Sequence, residues 1–129
     1  MKLEGNIKIV GHEIPKERVS DLLCDAFEGG SNYWYLLQDY KLPPGKKGKD
    51  FKFPHIEVPL FEGGSVIVDA PGDKEHSGKL LNLEAIQKGL QLLHDLYCNH
   101  FNDLLTDNDD ADTGDVFLQL CLFGEVVFS

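Results

Sequence analysis

The chain has 129 residues, 42% of them hydrophobic and 10% aromatic, which suits one folded domain over residues 1–129 with its own core and argues against disorder. Its formal net charge is −10, from 22 acids against 12 Lys and Arg, and that balance disfavours non-specific binding to nucleic acid or to an anionic membrane. No apolar run approaches the roughly 18 residues of a spanning helix and no leader pattern opens the chain, so a cytoplasmic protein without a membrane partner is expected.

In chain order, Asn6–Val10 alternates as a short strand and Gly11-His12 turns. Pro15 suits the first position of a helix over residues 15–28, whose apolar face is Val19, Leu22, Leu23, Ala26 and Phe27. Gly29-Gly30 is expected to stop it in the left-handed conformation. Tyr33 to Leu37 reads as extended and half-buried, with Trp34 facing inward as a core anchor and Tyr33 and Tyr35 facing out. The Lys-, Pro- and Gly-rich stretch 41–59 reads as a long, partly mobile loop with an edge hairpin around Phe51 to Val58.

Ser65–Asp69 is a strand by its β-branched residues, and Ala70 to Gly78 is rich in turns. Asn82 can cap a second helix bearing Leu83, Ile86, Leu90, Leu93 and Tyr97. Gly89 inside it costs about 1 kcal/mol against alanine and so marks close packing. Thr113 is expected to cap a third helix through Val116, Phe117, Leu120, Cys121 and Phe123, stopped by Gly124, before a last strand over Glu125–Ser129. These elements predict an α+β domain, a small and largely antiparallel sheet packed by about three helices.

The charge is uneven. After Lys88 there is no Lys or Arg, and Asp95, Asp103, Asp107, Asp109, Asp110, Asp112, Asp115 and Glu125 place −8 of the formal charge in the last third of the chain. Lysines instead crowd residues 41–52. Cys24, Cys98 and Cys121 form no close-spaced framework and each lies in an apolar-periodic segment, so three reduced, buried thiols are expected.

The pentapeptide Phe-Glu-Gly-Gly-Ser occurs twice, at residues 27–31 and 61–65. The first copy follows a helix C-terminus, where carbonyls rather than N–H groups point outward, the wrong end for an anion. Neither copy has Walker spacing. Both end one element and launch a strand, so one turn chemistry used twice is expected, with glycine supplying a positive φ.

Metal chemistry has weak support. His94 and Cys98 stand four apart, with His100 near, but a fourth zinc donor and a standard motif are lacking. From Asp107, position 5 of a calcium loop is Ala111 and position 12 is Leu118, so the EF-hand frame fails. No nucleophile, base and orienter recur in a catalytic spacing. His12, His55 and His76 read as solvated loop residues, and Arg18 alone cannot form an arginine clamp on phosphates. The expectation is a non-enzyme with no cofactor.

Ala26, Glu28, Gly29, Gly30, Tyr33 and Trp34 form an A-x-E-G-G-x-x-Y-W helix end. Asp110, Ala111, Asp115, Gln119, Phe123, Gly124, Glu125 and Val127 form D-A-x-x-x-D-x-x-x-Q-x-x-x-F-G-E-x-V. With these motifs the chain resembles a family of small proteins carried by tailed phages and prophages, over most of its length outside the Lys/Pro loop. The resemblance implies a phage accessory gene acting in the host cell, a setting in which many such genes oppose host defences. It implies no set of catalytic residues.

Two modes of stoichiometric binding follow as expectations, with homo-oligomerisation compatible with either. In one, an acidic face of Asp103, Asp107, Asp109, Asp110, Asp112 and Asp115 occupies a basic groove of a host defence protein, carboxylates standing in for phosphates. In the other, Tyr33 and Tyr35 with the Gly29-Gly30-Ser31 and Gly63-Gly64-Ser65 turns form a pocket for a nucleotide-type signal or another small molecule. A small virion or assembly component is a further alternative.

Overall fold

A computed structural model describes residues 3–129. Among these residues the domain is α+β, as expected, with two small antiparallel sheets and five α-helices where one sheet and about three helices were expected. Strands β1 (Asn6–Ile9) and β2 (His12–Pro15) form a hairpin in which Ile7 faces Ile14, both buried. The residues expected to turn and start the helix, His12 to Pro15, therefore pair back first. Helix α1 (Lys16–Asp25) then buries Val19, Leu22 and Leu23, as its periodicity predicts.

Helix α1 ends in a single wide turn, Ala26–Gly30, closed by the Ser31 N–H donating to the Ala26 carbonyl five residues back at 2.8 Å. Gly29 and Gly30 do not take the expected left-handed conformation. Gly30 is small because another helix lies against it: a Cβ there would fall 1.9 Å from the Ala111 carbonyl oxygen, whereas one on Gly29 would only touch the Ala111 Cβ at 3.9 Å. At the second copy of the pentapeptide the reason differs. Gly63 does have positive φ, 82°, and a Cβ on Gly64 would fall 2.2 Å from the Val58 carbonyl oxygen. One word in the sequence thus meets two different steric demands.

Residues 31–34 form turns, so β3 begins later than expected and runs Leu36–Lys41. It pairs with β4 (Ser65–Asp69), which pairs in turn with the short β5 (Lys79–Leu81). A register shift between Leu37 and Asp39 bends β3. The segment 41–59 is no hairpin: it holds a turn at Gly48–Asp50 and the short helix α2 (Pro54–Glu57), and it buries Phe51, Ile56 and Val58 in the core.

Helix α3 (Leu83–Leu96) starts where expected, the Asn82 side chain accepting from the Ala85 N–H at 2.9 Å. Gly89 lies against α5 (Ala111–Phe123), where a Cβ would meet the Cys121 sulfur at 2.3 Å. Close packing is indeed its role. The backbone breaks at Tyr97, and α4 (Cys98–Leu105) follows, burying only Phe101 and Leu104. Helix α5 is capped by Asp110 rather than Thr113 and stops at Gly124, whose φ is 76°. It is buried nearly all round, with Phe117, Leu118 and Leu120 at the centre of the core. Glu125–Ser129 forms no strand of either sheet.

Candidate functional site

Two places hold the polar side chains singled out above, and the structure separates them sharply. The first is a node centred on Asp115. This residue sits on α5 where the wide turn after α1 crosses it, and it is only 7% exposed. Its Oδ1 accepts from Ser31 Oγ at 2.8 Å, Trp34 Nε1 at 2.7 Å and Gln119 Nε2 at 3.1 Å, while its Oδ2 accepts from Tyr33 Oη at 2.6 Å. Burial and the Asp115 carboxylate push the Tyr33 phenol up to about 12.

Gln119, one turn further along α5, completes the node. Its Oε1 accepts from the Val127 and Phe128 N–H groups at 2.7 and 2.8 Å, and its Nε2 donates to the Phe128 carbonyl at 3.0 Å. A side-chain amide thus does for Glu125–Ser129 what a neighbouring strand was expected to do. Phe128 is laid on Trp34, the rings stacked at 5.2 Å. Beside them a cavity of about 410 Å³ is lined by Asn32, Tyr33, Trp34, Tyr35, Ala70, Pro71 and Phe128.

This geometry corrects several expectations. Trp34 is a buried core anchor, as expected, and Tyr33 is 55% exposed. Tyr35 is half-buried, its hydroxyl donating to the Phe27 carbonyl at 2.6 Å. Ser31 is fully buried and committed to Asp115, so it faces no ligand. Gly30 is covered by Ala111, and Gly29 beside it is exposed. Gly63, Gly64 and Ser65 line a different depression, with Lys41, Asn82 and Glu84. Because Ser65 pairs with Lys41 while Leu36 pairs with Asp69, the two turns lie at opposite ends of the β3–β4 hairpin. At about 3.4 Å per residue they are separated by roughly 17 Å, so no pocket contains both.

The second place is an acidic face where α1 meets the loop between α4 and α5. Arg18, on α1, gathers it: the guanidinium bonds to Asp21 at 2.6 Å, to the Leu104 carbonyl at 3.0 Å, to Asp107 at 3.3 Å and to Asp109. Burial lowers the Arg18 pKa but the bonds to Asp109 and Asp21 outweigh it, and the net shift is upward. The side chains of Asp107 and Asp112 are 84% and 80% exposed, and that of Asp21 is more than half exposed. Asp110 is exposed but occupied at the cap of α5, where the Thr113 N–H and hydroxyl hold its carboxyl below the usual range. Asp103 is half-buried.

Two acids expected on this face are not available to a partner. Asp115 is enclosed in its own node, and the Asp109 side chain is 6% exposed beneath Arg18. One acid of α1, Asp21, joins the face through Arg18, and sequence reading missed it because it belongs to a distant stretch of chain.

The remaining candidates resolve into packing. The helix break at Tyr97 separates His94 from Cys98, and among the described residues no group of three or more His, Cys, Asp or Glu side chains could hold a metal ion. The histidines expected to be solvated all touch rings: His12 against Phe101, His55 against Phe27, and His76 against Phe123 while bonded to Asp73. Cys24 and Cys98 are exposed, contrary to expectation, and only Cys121 is buried. Comparison with protein-family models, curated proteins and solved structures found no match.

Proposed function

We propose that this chain is a phage accessory protein that works by stoichiometric binding. In this reading Asp21, Asp107 and Asp112 present negative charge to a basic groove of a host defence protein. The observation that carries the reading is the fate of Arg18. The chain's sole arginine lies inside the acidic face, yet its guanidinium is consumed by Asp21, Asp107, Asp109 and a carbonyl. The outermost carboxylates are left as the face's outward charge.

Exposed carboxylates spaced along a helix and a neighbouring loop can meet a row of lysines or arginines much as phosphates do. Most of the affinity then comes from pairs in high dielectric, so binding depends on salt. The alternative, a nucleotide-type signal held between the two Gly-Gly-Ser turns, lacks support because those turns lie apart and Ser31 is buried.

The test is capture of a host protein by the purified chain. Raising salt to about 0.5 M should release it, since the Debye length falls well below 10 Å. Asp107→Lys combined with Asp112→Lys should abolish capture, at a cost in stability small enough that the variant stays folded at the assay temperature. Capture that survives both treatments would overturn the acidic-face reading.

A further inference from the structure

We propose that Asp25 and Asp109 share one proton, that this proton latches the loop between α4 and α5 onto α1, and that its loss releases the loop. This inference stands whether or not the acidic face binds a basic partner.

The geometry carries the argument. Asp25 is the last residue of α1, and Gly114 of α5 packs so closely on it that a Cβ there would meet the Asp25 Cβ at 2.7 Å. The Asp25 carboxyl therefore cannot swing toward α5. It lies beside the Asp109 carboxyl. Its Oδ2 is buried, and no N–H or O–H of another residue reaches it. Two carboxylate groups are both acceptors, so a bond between them exists only if one carries a proton.

The charges around the pair decide which one. Arg18 bonds directly to Asp109 and keeps it ionised. Asp25 has no such partner. From α1 it is faced by Asp21, by the more remote attraction of Arg18 and by the Cys24 thiol; from the loop it is faced by Asp109, with Asp107 beyond on Arg18. From α5 it meets uncharged Gly114, while Asp112 stands toward His100 and Asp115 toward Tyr33 and Trp34. A negative Asp25 would be half-buried beside two other acids. Burial first, then Asp109 and Asp21, push its carboxyl up to about 8, whereas the bonds from Asp25 and Arg18 hold Asp109 below its usual range despite burial.

What the proton holds is the loop's conformation. Asp107 is the one non-glycine among the described residues with positive φ, 59°; it closes α4, with its N–H donating to the Leu104 carbonyl and the Asn108 N–H to the Asp103 carbonyl, and the chain beyond it needs a separate anchor. The Asp109 side chain, tied to both Arg18 and Asp25, anchors the loop from within. When the proton leaves to solvent, the pair becomes two like charges in contact, and Arg18 can neutralise only one of them.

The direction with pH follows from linkage. The folded protein holds a proton on Asp25 that the unfolded chain, with an ordinary aspartate pKa of about 3.9, gives up. This group's stabilising contribution is full below about pH 4, declines as pH rises, and is lost above about pH 8.

The test uses the full chain and needs no variant at first: carboxyl ¹³C shifts of the aspartates from pH 4 to 9.5, with amide exchange of residues 106–110 corrected for its intrinsic rate. One carboxyl, that of Asp25, should stay protonated until near pH 8, and loop protection should fall in the same step. Asp25→Asn, whose amide can donate to Asp109 at every pH, should show no step and keep the loop protected. Its stability relative to the natural chain should grow between about pH 5 and 8 and then level off. Titration of Asp25 near pH 4 with the other aspartates would overturn the proposal. So would loop protection that ignores the step, or a stability difference between the two proteins that does not change with pH.

Discussion

Asp109 and Asp115 belong to one acidic run, six residues apart, and their surroundings are opposite. Asp115 is enclosed by a hydroxyl, a phenol, an indole and an amide, four neutral donors for one carboxylate. Asp109 is enclosed by an arginine and a second acid, so its site holds two acceptor groups and is completed by a proton. The contrast shows that burial alone does not decide what an aspartate does. The count of donors around it does: a surplus of donors makes a rigid joint, and a deficit makes a group that responds to pH.

The largest way to break this comparison is to remove the joint. Asp115→Ala strands Ser31, Trp34 and Gln119 donors in the interior at about 1–3 kcal/mol each, so a total loss of roughly 3–5 kcal/mol is expected in urea unfolding. A loss under about 1 kcal/mol would mean the node is decorative. Removing the corresponding acid of the other site, by Asp25→Asn, should leave stability unharmed or raise it, which makes the pair of variants the sharpest measure of the difference.

Gly114→Ala probes the place where the two sites touch, since the added methyl meets Ala26 N at 2.6 Å and the Asp25 Cβ at 2.7 Å. Backbone atoms cannot step aside cheaply, so a loss of about 1–3 kcal/mol is expected, readable as a lower melting temperature. The smallest effect belongs to Asp110→Ala. It removes the α5 cap and should cost about 1 kcal/mol, with the decrement shrinking at acid pH where the Asp110 carboxylate is protonated.

The segments legible in the sequence were those with strong periodicity or a cap: α1, β4, and α3 from Asn82. Helix α4 escaped because it buries only Phe101 and Leu104, too few to set a period. Strands β2 and β5 have four and three residues, too short to show a period, and owe their state to pairing with the strand before each. Val126 to Phe128 has the β-branched and aromatic composition of a strand, but its backbone is read by Gln119 instead. At the candidate site, the exposed members of the acidic run were legible, whereas the burial of Asp115 was not. Its one signal was an acid four residues before a glutamine in an otherwise apolar helix, a spacing that places both on one face.

The contact of Gly89 with Cys121 has a chemical consequence. Burial pushes the Cys121 thiol well up, and the α3 backbone covers its sulfur. Thiolate is the reactive form, so alkylation of this residue must wait until α3 and α5 part. Cys24 and Cys98 lie exposed and face no such barrier. The chain therefore carries its own clock for opening of the helical core: two thiols that react from the closed protein, and a third whose rate of modification counts the occasions on which the helices separate.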